Sequence, residues 1–213
     1  VGPNIEAPNH QHFFSFRLDL DVDGPNNRLF EINNEAAPMG PENPVGNAFV
    51  MNVTQLKSER EAIRNLNLAS ARTWVVTSSN RKNALGDPTG FMLMGGENSV
   101  PYLHKEAPVR KRADFINAHL WSTKYRDNEL YSAGYYPNQS TKDTGLSVWT
   151  GDDESLDSED LVLWYTLGVT HNPRPEEWPV MPSHATGFKL LPNGFFNENP
   201  ALDIPATYPG DDD

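Results

Sequence analysis

Apolar and polar residues alternate along much of the chain, and the two clearest runs set its layout. Residues 10–23 (His-Gln-His-Phe-Phe-Ser-Phe-Arg-Leu-Asp-Leu-Asp-Val-Asp) alternate cleanly over their second half, the period of a half-buried strand. Gly24-Pro25-Asn26-Asn27 then breaks the run. Residues 161–170 (Leu-Val-Leu-Trp-Tyr-Thr-Leu-Gly-Val-Thr) form the strongest β pattern, rich in aromatic and β-branched side chains. Further strands are predicted over 49–56, 72–79, 88–94 and 186–191, and short helices only over 56–66 and 108–119. The expected architecture is all-β, a large antiparallel β arrangement with long loops, spanning residues 1–213 with a loose acidic tail at 205–213.

Composition narrows the function classes. Lys and Arg number 17 against 29 Asp and Glu, a net charge of −12 that repels nucleic acid and anionic membranes. No apolar run approaches the length of about 20 residues that a membrane-spanning helix needs. Zero cysteine removes disulfides, thiolate metal sites and cysteine nucleophiles. The chain opens at Val1 without a secretory signal and runs quickly into strand, so it is expected to be cut from something longer. Asn52-Val53-Thr54 and Asn138-Gln139-Ser140 match the N-glycosylation acceptor pattern and favour a secretory route, with a peroxisomal compartment as the alternative.

Three of the six histidines carry chemical interest. His10 and His12 sit at i and i+2 of a strand, on one face and roughly 6.6 Å apart along it. Their parity is that of Phe14, Phe16, Leu18 and Leu20, so both are expected on the apolar side, where bare imidazole nitrogens need partners. His171 ends the second strong strand with the parity of Leu163, Tyr165 and Leu167. Three imidazoles without thiolate suit zinc, copper or nickel; the competing explanation is ordinary hydrogen-bonded histidines. His104 and His119 lie in basic sequence and are expected at the surface, and His184 in a loop.

The other face of the first strand carries Asp19, Asp21 and Asp23, and Asp160 opens the second strand. Such close carboxylates repel, so the choice is a solvated acidic face or a calcium-type oxygen site. Antiparallel pairing of the two strands explains both clusters, bringing His to His at one end and Asp to Asp at the other. The spacings of seven residues (His12 to Asp19) and eleven (Asp160 to His171) imply a bulge or an overhang.

Several segments together resemble the copper amine oxidases, primary-amine oxidases that carry topaquinone. They are His10-Gln11-His12-Phe13 with Arg17-Leu18-Asp19, Gly46-Asn47-Ala48-Phe49, Leu120-Trp121-Ser122-Thr123-Lys124-Tyr125, Asp160-Leu161-Val162-Leu163-Trp164, and above all the run from Thr170 to Pro182. Gly187-Phe188-Lys189-Leu190 and Gly194-Phe195-Phe196 extend the resemblance to about residue 205. It implies copper on His10, His12 and His171, with Met181 nearby. It implies a peripheral calcium-type site from Asp19, the Leu20 carbonyl, Asp21, Asp160 and the Leu161 carbonyl. It implies the family's large antiparallel β-sandwich catalytic domain, and a homodimer with exchanged hairpin arms, for which residues 25–50 are the candidate.

The implied reaction converts R-CH2-NH2, O2 and water to aldehyde, ammonia and hydrogen peroxide, with an aspartate as general base. One departure matters. The family's quinone arises from a Tyr in an Asn-Tyr-Asp/Glu context, which none of Tyr102, Tyr125, Tyr131, Tyr135, Tyr136, Tyr165 or Tyr208 has. That tyrosine and the aspartate base are expected upstream of Val1, making this chain the C-terminal portion of the catalytic domain and inactive by itself. Two other readings remain from the residues: a zinc hydrolase with three histidine ligands and Glu176 or Glu177 as base, and a non-catalytic calcium-dependent β module.

Overall fold

The computed structural model describes residues 1–139 and 144–205. In chain order the strands are β1 (His10–Asp19), β2 (Asn27–Ala36), β3 (Phe49–Leu56), β4 (Thr73–Lys82), β5 (Pro88–Gly95), β6 (Leu120–Lys124), β7 (Leu161–His171) and β8 (Phe188–Asn193). They form two sheets, β1-β7-β6 and β3-β2-β4-β5-β8, with every pairing antiparallel. Helices are short: α1 (Pro108–Arg112), α2 (Leu146–Trp149) and a few 3-10 turns. The expected all-β sandwich is therefore the fold. The expected acidic tail lies, from residue 206 onward, outside the described residues.

The sheets meet face to face across one core. Leu29, Trp74, Val76 and Leu93 of the larger sheet pack with Leu163, Tyr165 and Leu167 of β7. Tyr165 links the layers, its ring 6.4 Å from Trp74 and 5.0 Å from Phe188. The other face of β7 is covered too: Val162 and Trp164 pack with Ala118, Trp121 and Leu146. Burial on both faces explains why residues 161–167 read as a continuous apolar run rather than an alternating one.

Strands β2 and β6 and both expected helices depart from expectation. Strand β2 was not predicted, because its inward positions are Asn27, Leu29 and Glu31 and polar residues hide the pattern. Glu31 is only 2% exposed. Arg64 grips it with Nε and Nη2 at 2.7 Å each, Asn33 donates at 3.0 Å, and Trp74 Nε1 donates at 3.1 Å. Burial alone would raise this carboxyl; the donors outweigh it and hold the group below its usual range.

The helix expected over 56–66 does not form. The backbone there bonds outward instead: Glu59 N to the Glu154 carbonyl, and Arg64 N to the Leu120 carbonyl, which returns the bond from Leu120 N. The predicted 108–119 helix reduces to α1 and a 3-10 turn at Asp114–Asn117. Residues 25–50 form β2 and the loop of a hairpin that closes through β3, an edge strand exposing Phe49, Val50, Met51 and Val53. Asn52 lies exposed on that strand. Asn138 is also exposed, but its acceptor Ser140 lies outside the described residues.

Glu59, 2% exposed, also takes hydrogen bonds from Lys124 N and Glu154 N. Burial still pushes its carboxyl up to about 7, and the charge of Asp152 adds to the rise. The native state thus favours the neutral acid. Its contribution to stability is fully present below the ordinary value of 4.5 and is lost as pH rises through about 7. In chelator-treated protein, the thermal midpoint of Glu59→Gln will therefore fall less than that of the parent between pH 5 and pH 8. Glu31→Ala should cost about 3 kcal/mol in urea unfolding, because it strands the Trp74 N–H and the guanidinium groups of Arg64 and Arg72.

Candidate metal centre

The first structural requirement of the site is the β1–β7 ladder. It runs without a register shift from His10 opposite His171 to Asp19 opposite Val162. Of the expected bulge or overhang, the structure has the overhang: His12 faces Val169 and Asp19 faces Val162, so His171 and Asp160 each lie two residues beyond.

Behind the histidines, a loop clamps both strands. Gln11, on the opposite face from its neighbours, donates to the Val100 carbonyl and Thr170 Oγ1 at 2.9 Å each and accepts from Tyr102 N at 2.9 Å. Asn98 accepts from Gly168 N at 2.6 Å and donates to the Thr166 carbonyl at 2.9 Å. Gly168 has to lack a side chain: a Cβ there would stand 2.6 Å from the Ser99 carbonyl and 2.7 Å from the Phe13 ring.

The three rings meet through His10, whose centroid is 4.9 Å from His12 and 4.8 Å from His171. The face they occupy carries the predicted apolar residues, but it is open at this end, with Phe14 half exposed. His10 Nδ1 lies 2.8 Å from the Pro8 carbonyl, and His171 Nε2 lies 2.6 Å from Glu177 Oε2. Each acceptor assigns the N–H to that outer nitrogen. The inner nitrogens, His10 Nε2 and His171 Nδ1, then face each other as lone pairs at 3.3 Å. Only a proton or a metal cation makes such a contact favourable. Metal–imidazole bonds of about 2.0–2.1 Å at tetrahedral or square angles place ligand nitrogens roughly 2.9–3.5 Å apart, so the spacing fits an ion. His12 stands back from the pair: the three histidines do not form a group whose ligand atoms all lie within 4.8 Å. Its exposed ring stacks on Phe14 at 6.4 Å and has to turn to join them.

A cavity of about 300 Å³ opens beside these rings, lined by His12, His171, Arg174, Glu177, Met181 and His184 among others. Met181 thus lies on the wall next to the histidines. The expected surface location of His119 is wrong. It is buried, taking a hydrogen bond from Leu66 N at 3.3 Å on Nδ1, and is a structural residue linking β6 to the 64–66 segment. His104 is exposed, as expected.

At the far end of the ladder, Asp19, Asp21 and Asp160 bring ligand oxygens within 4.8 Å of one another. Asp160 Oδ1 is buried without a hydrogen-bond partner among the described residues. Burial, then the charges of Asp21 and Asp19, push its carboxyl up. Leu20 and Leu161 adjoin the trio in sequence. A second trio, Glu59, Asp152 and Glu154, is equally close. It was missed in the sequence because the acidic run at 152–154 gives no sign that Glu59 packs beside it.

The chain is similar to known proteins of one family. The family model described as copper amine oxidase, enzyme domain, matches residues 1–210. Histamine oxidase of Arthrobacter globiformis is 41% identical over 99% of this chain and 31% of its own length. Primary amine oxidase of Klebsiella aerogenes is 37% identical over 95% of this chain and 27% of its own. The crystal structure of a copper-containing benzylamine oxidase from Hansenula polymorpha superposes with a TM-score of 0.86 at 37% identity, covering 93% of this chain and 31% of that one. The chain thus spans about a third of the length of these relatives. Neither the zinc hydrolase nor the isolated calcium module is supported by these likenesses. The matched stretch covers nearly every element of the fold, and the chain belongs to the copper amine oxidase family.

Proposed function

We propose that these residues form the metal-binding C-terminal portion of a primary-amine oxidase that turns R-CH2-NH2, O2 and water into aldehyde, ammonia and hydrogen peroxide. The observation that carries the reading is the pair of imidazole lone pairs facing at 3.3 Å, joined by a third ring on the same strand face. His10, His12 and His171 are the copper ligands in this reading. Copper bound there supports formation of topaquinone from a tyrosine and the later reoxidation of the quinone by O2. The chain's own residues do the holding. Gln11 locks the strand between the first two rings, the Pro8 carbonyl fixes the His10 tautomer, and Met181 shields one side of the cleft.

The tyrosine that becomes the quinone and the aspartate that removes the substrate α-proton belong to an upstream segment, since no tyrosine here has the required sequence context. The relatives' names all denote amine oxidases, which supports an amine as the substrate. The β2–β3 hairpin, with its exposed apolar edge, is the arm by which a homodimer forms. Asp19, Asp21 and Asp160, with the Leu20 and Leu161 carbonyls, hold calcium, which explains the unpartnered Asp160 oxygen.

Three outcomes test the reading. The 213-residue chain without an upstream segment should show no amine turnover and no quinone absorbance; turnover by it alone refutes the division of labour. In the full-length protein, copper should give an axial EPR signal with imidazole nitrogen couplings, and His171→Ala should abolish it. Calcium should raise the thermal midpoint, by about 2.7 kcal/mol of stability at one hundred times Kd, and Asp160→Asn should remove most of that gain.

A further inference from the structure

Glu177 is not among the expected ligands, yet it holds one of them more closely than any other side chain does. Its Oε2 is 2.6 Å from His171 Nε2. The Pro175–Glu177 turn folds the carboxylate back onto the end of β7. Arg174 fixes it there, its backbone N donating to Oε2 and its Nε to Oε1, each at 3.3 Å. The second carboxylate oxygen is therefore engaged as well as the first.

Imidazole ligates through the nitrogen that lacks hydrogen. An ionised carboxylate only accepts hydrogen bonds, so at His171 it selects the tautomer with the proton on Nε2. The free lone pair is then on Nδ1, the nitrogen turned toward His10 Nε2. Without that acceptor, the ring is free to flip about its Cβ–Cγ bond or to carry the proton on Nδ1, and either change removes the donor. The same contact leaves Glu177 poorly placed to serve as a base toward a molecule in the cleft.

Building on the copper reading above, we propose that Glu177 is a positioning residue whose carboxylate fixes the tautomer and orientation of His171, with Arg174 holding the carboxylate in turn. Its loss should weaken metal binding while leaving the fold intact, because its side chain bonds Arg174 and His171 at the end of β7 and belongs to neither hydrophobic cluster. Partners of this kind typically contribute about 10–100-fold to metal affinity.

The test compares full-length Glu177→Ala, Glu177→Gln and Glu176→Ala with the parent protein. Glu176 is the exposed neighbour and serves as the control. Copper(II) affinity is measured by chelator competition, the ligand field by continuous-wave and pulsed EPR, and folding by the thermal midpoint of the metal-free protein. The expected result is a loss of about 10–100-fold for Glu177→Ala with altered hyperfine splitting. Glu177→Gln should recover part of it, since its amide oxygen still accepts the N–H, and Glu176→Ala should match the parent. Parental affinity and EPR parameters in Glu177→Ala overturn the proposal. So does an affinity loss matched by a fall in the metal-free midpoint of both Glu177 variants, which makes the role structural. A parent protein that binds copper with no imidazole coupling overturns the copper reading itself, and the role of Glu177 with it.

Discussion

The unbroken antiparallel ladder between β1 and β7 is the constraint on which the rest of the molecule depends. Pairing His10 with His171 leaves no freedom elsewhere in the two strands. A slip of β7 by one residue would turn His171 away from His10 and carry Leu163 and Tyr165 out of the core. Retention of the core and alignment of the nitrogen donors are therefore one requirement. The same ladder, nine residue steps long, separates the histidines at one end from the carboxylates at the other by about 30 Å of strand. The nitrogen cluster and the oxygen cluster differ in chemical softness, so the two ends of the ladder suit different ions.

Buried carboxylates show three solutions to one physical problem. Glu31 is neutralised by the guanidinium of Arg64 and bonded by the Trp74 indole, so it stays ionised inside the sandwich. Glu59 meets only backbone N–H groups and a neighbouring acid, and its affinity for a proton rises. Asp160 has an oxygen with no partner among the described residues and two like charges nearby. Charge balance, rather than depth alone, distinguishes a structural ion pair from a group that awaits a proton or an ion.

The strands with regular alternation were legible in the sequence, and so were the residues the ladder aligns. His10, His12, His171, Asp19, Asp21 and Asp160 stand out because period two and chain direction suffice to place them. The features that failed to show depend on partners far along the chain. Glu31 disguised β2 because its matching cations, Arg64 and Arg72, lie outside that strand. The 56–66 segment has helical composition, but hydrogen bonds to residues 120 and 154 decide its shape. His119 reads as a surface residue among basic neighbours until the backbone of Leu66 is seen against it. The four-residue mismatch in spacing is met by an overhang, two residues at each end of the ladder, which sequence counting alone leaves undivided from a bulge.

The contact between Gly168 and the loop around Ser99 ties the histidine end of the ladder to a part of the molecule that no ion would touch. Even a methyl group at residue 168 would force that loop outward and loosen the grip of Gln11 on Val100 and Thr170. The rings on the front of the sheet would inherit the slack. Tolerance to substitution is thus set from the rear: a silent-looking glycine, with no donor atom of its own, limits how sharply the imidazoles can be aimed.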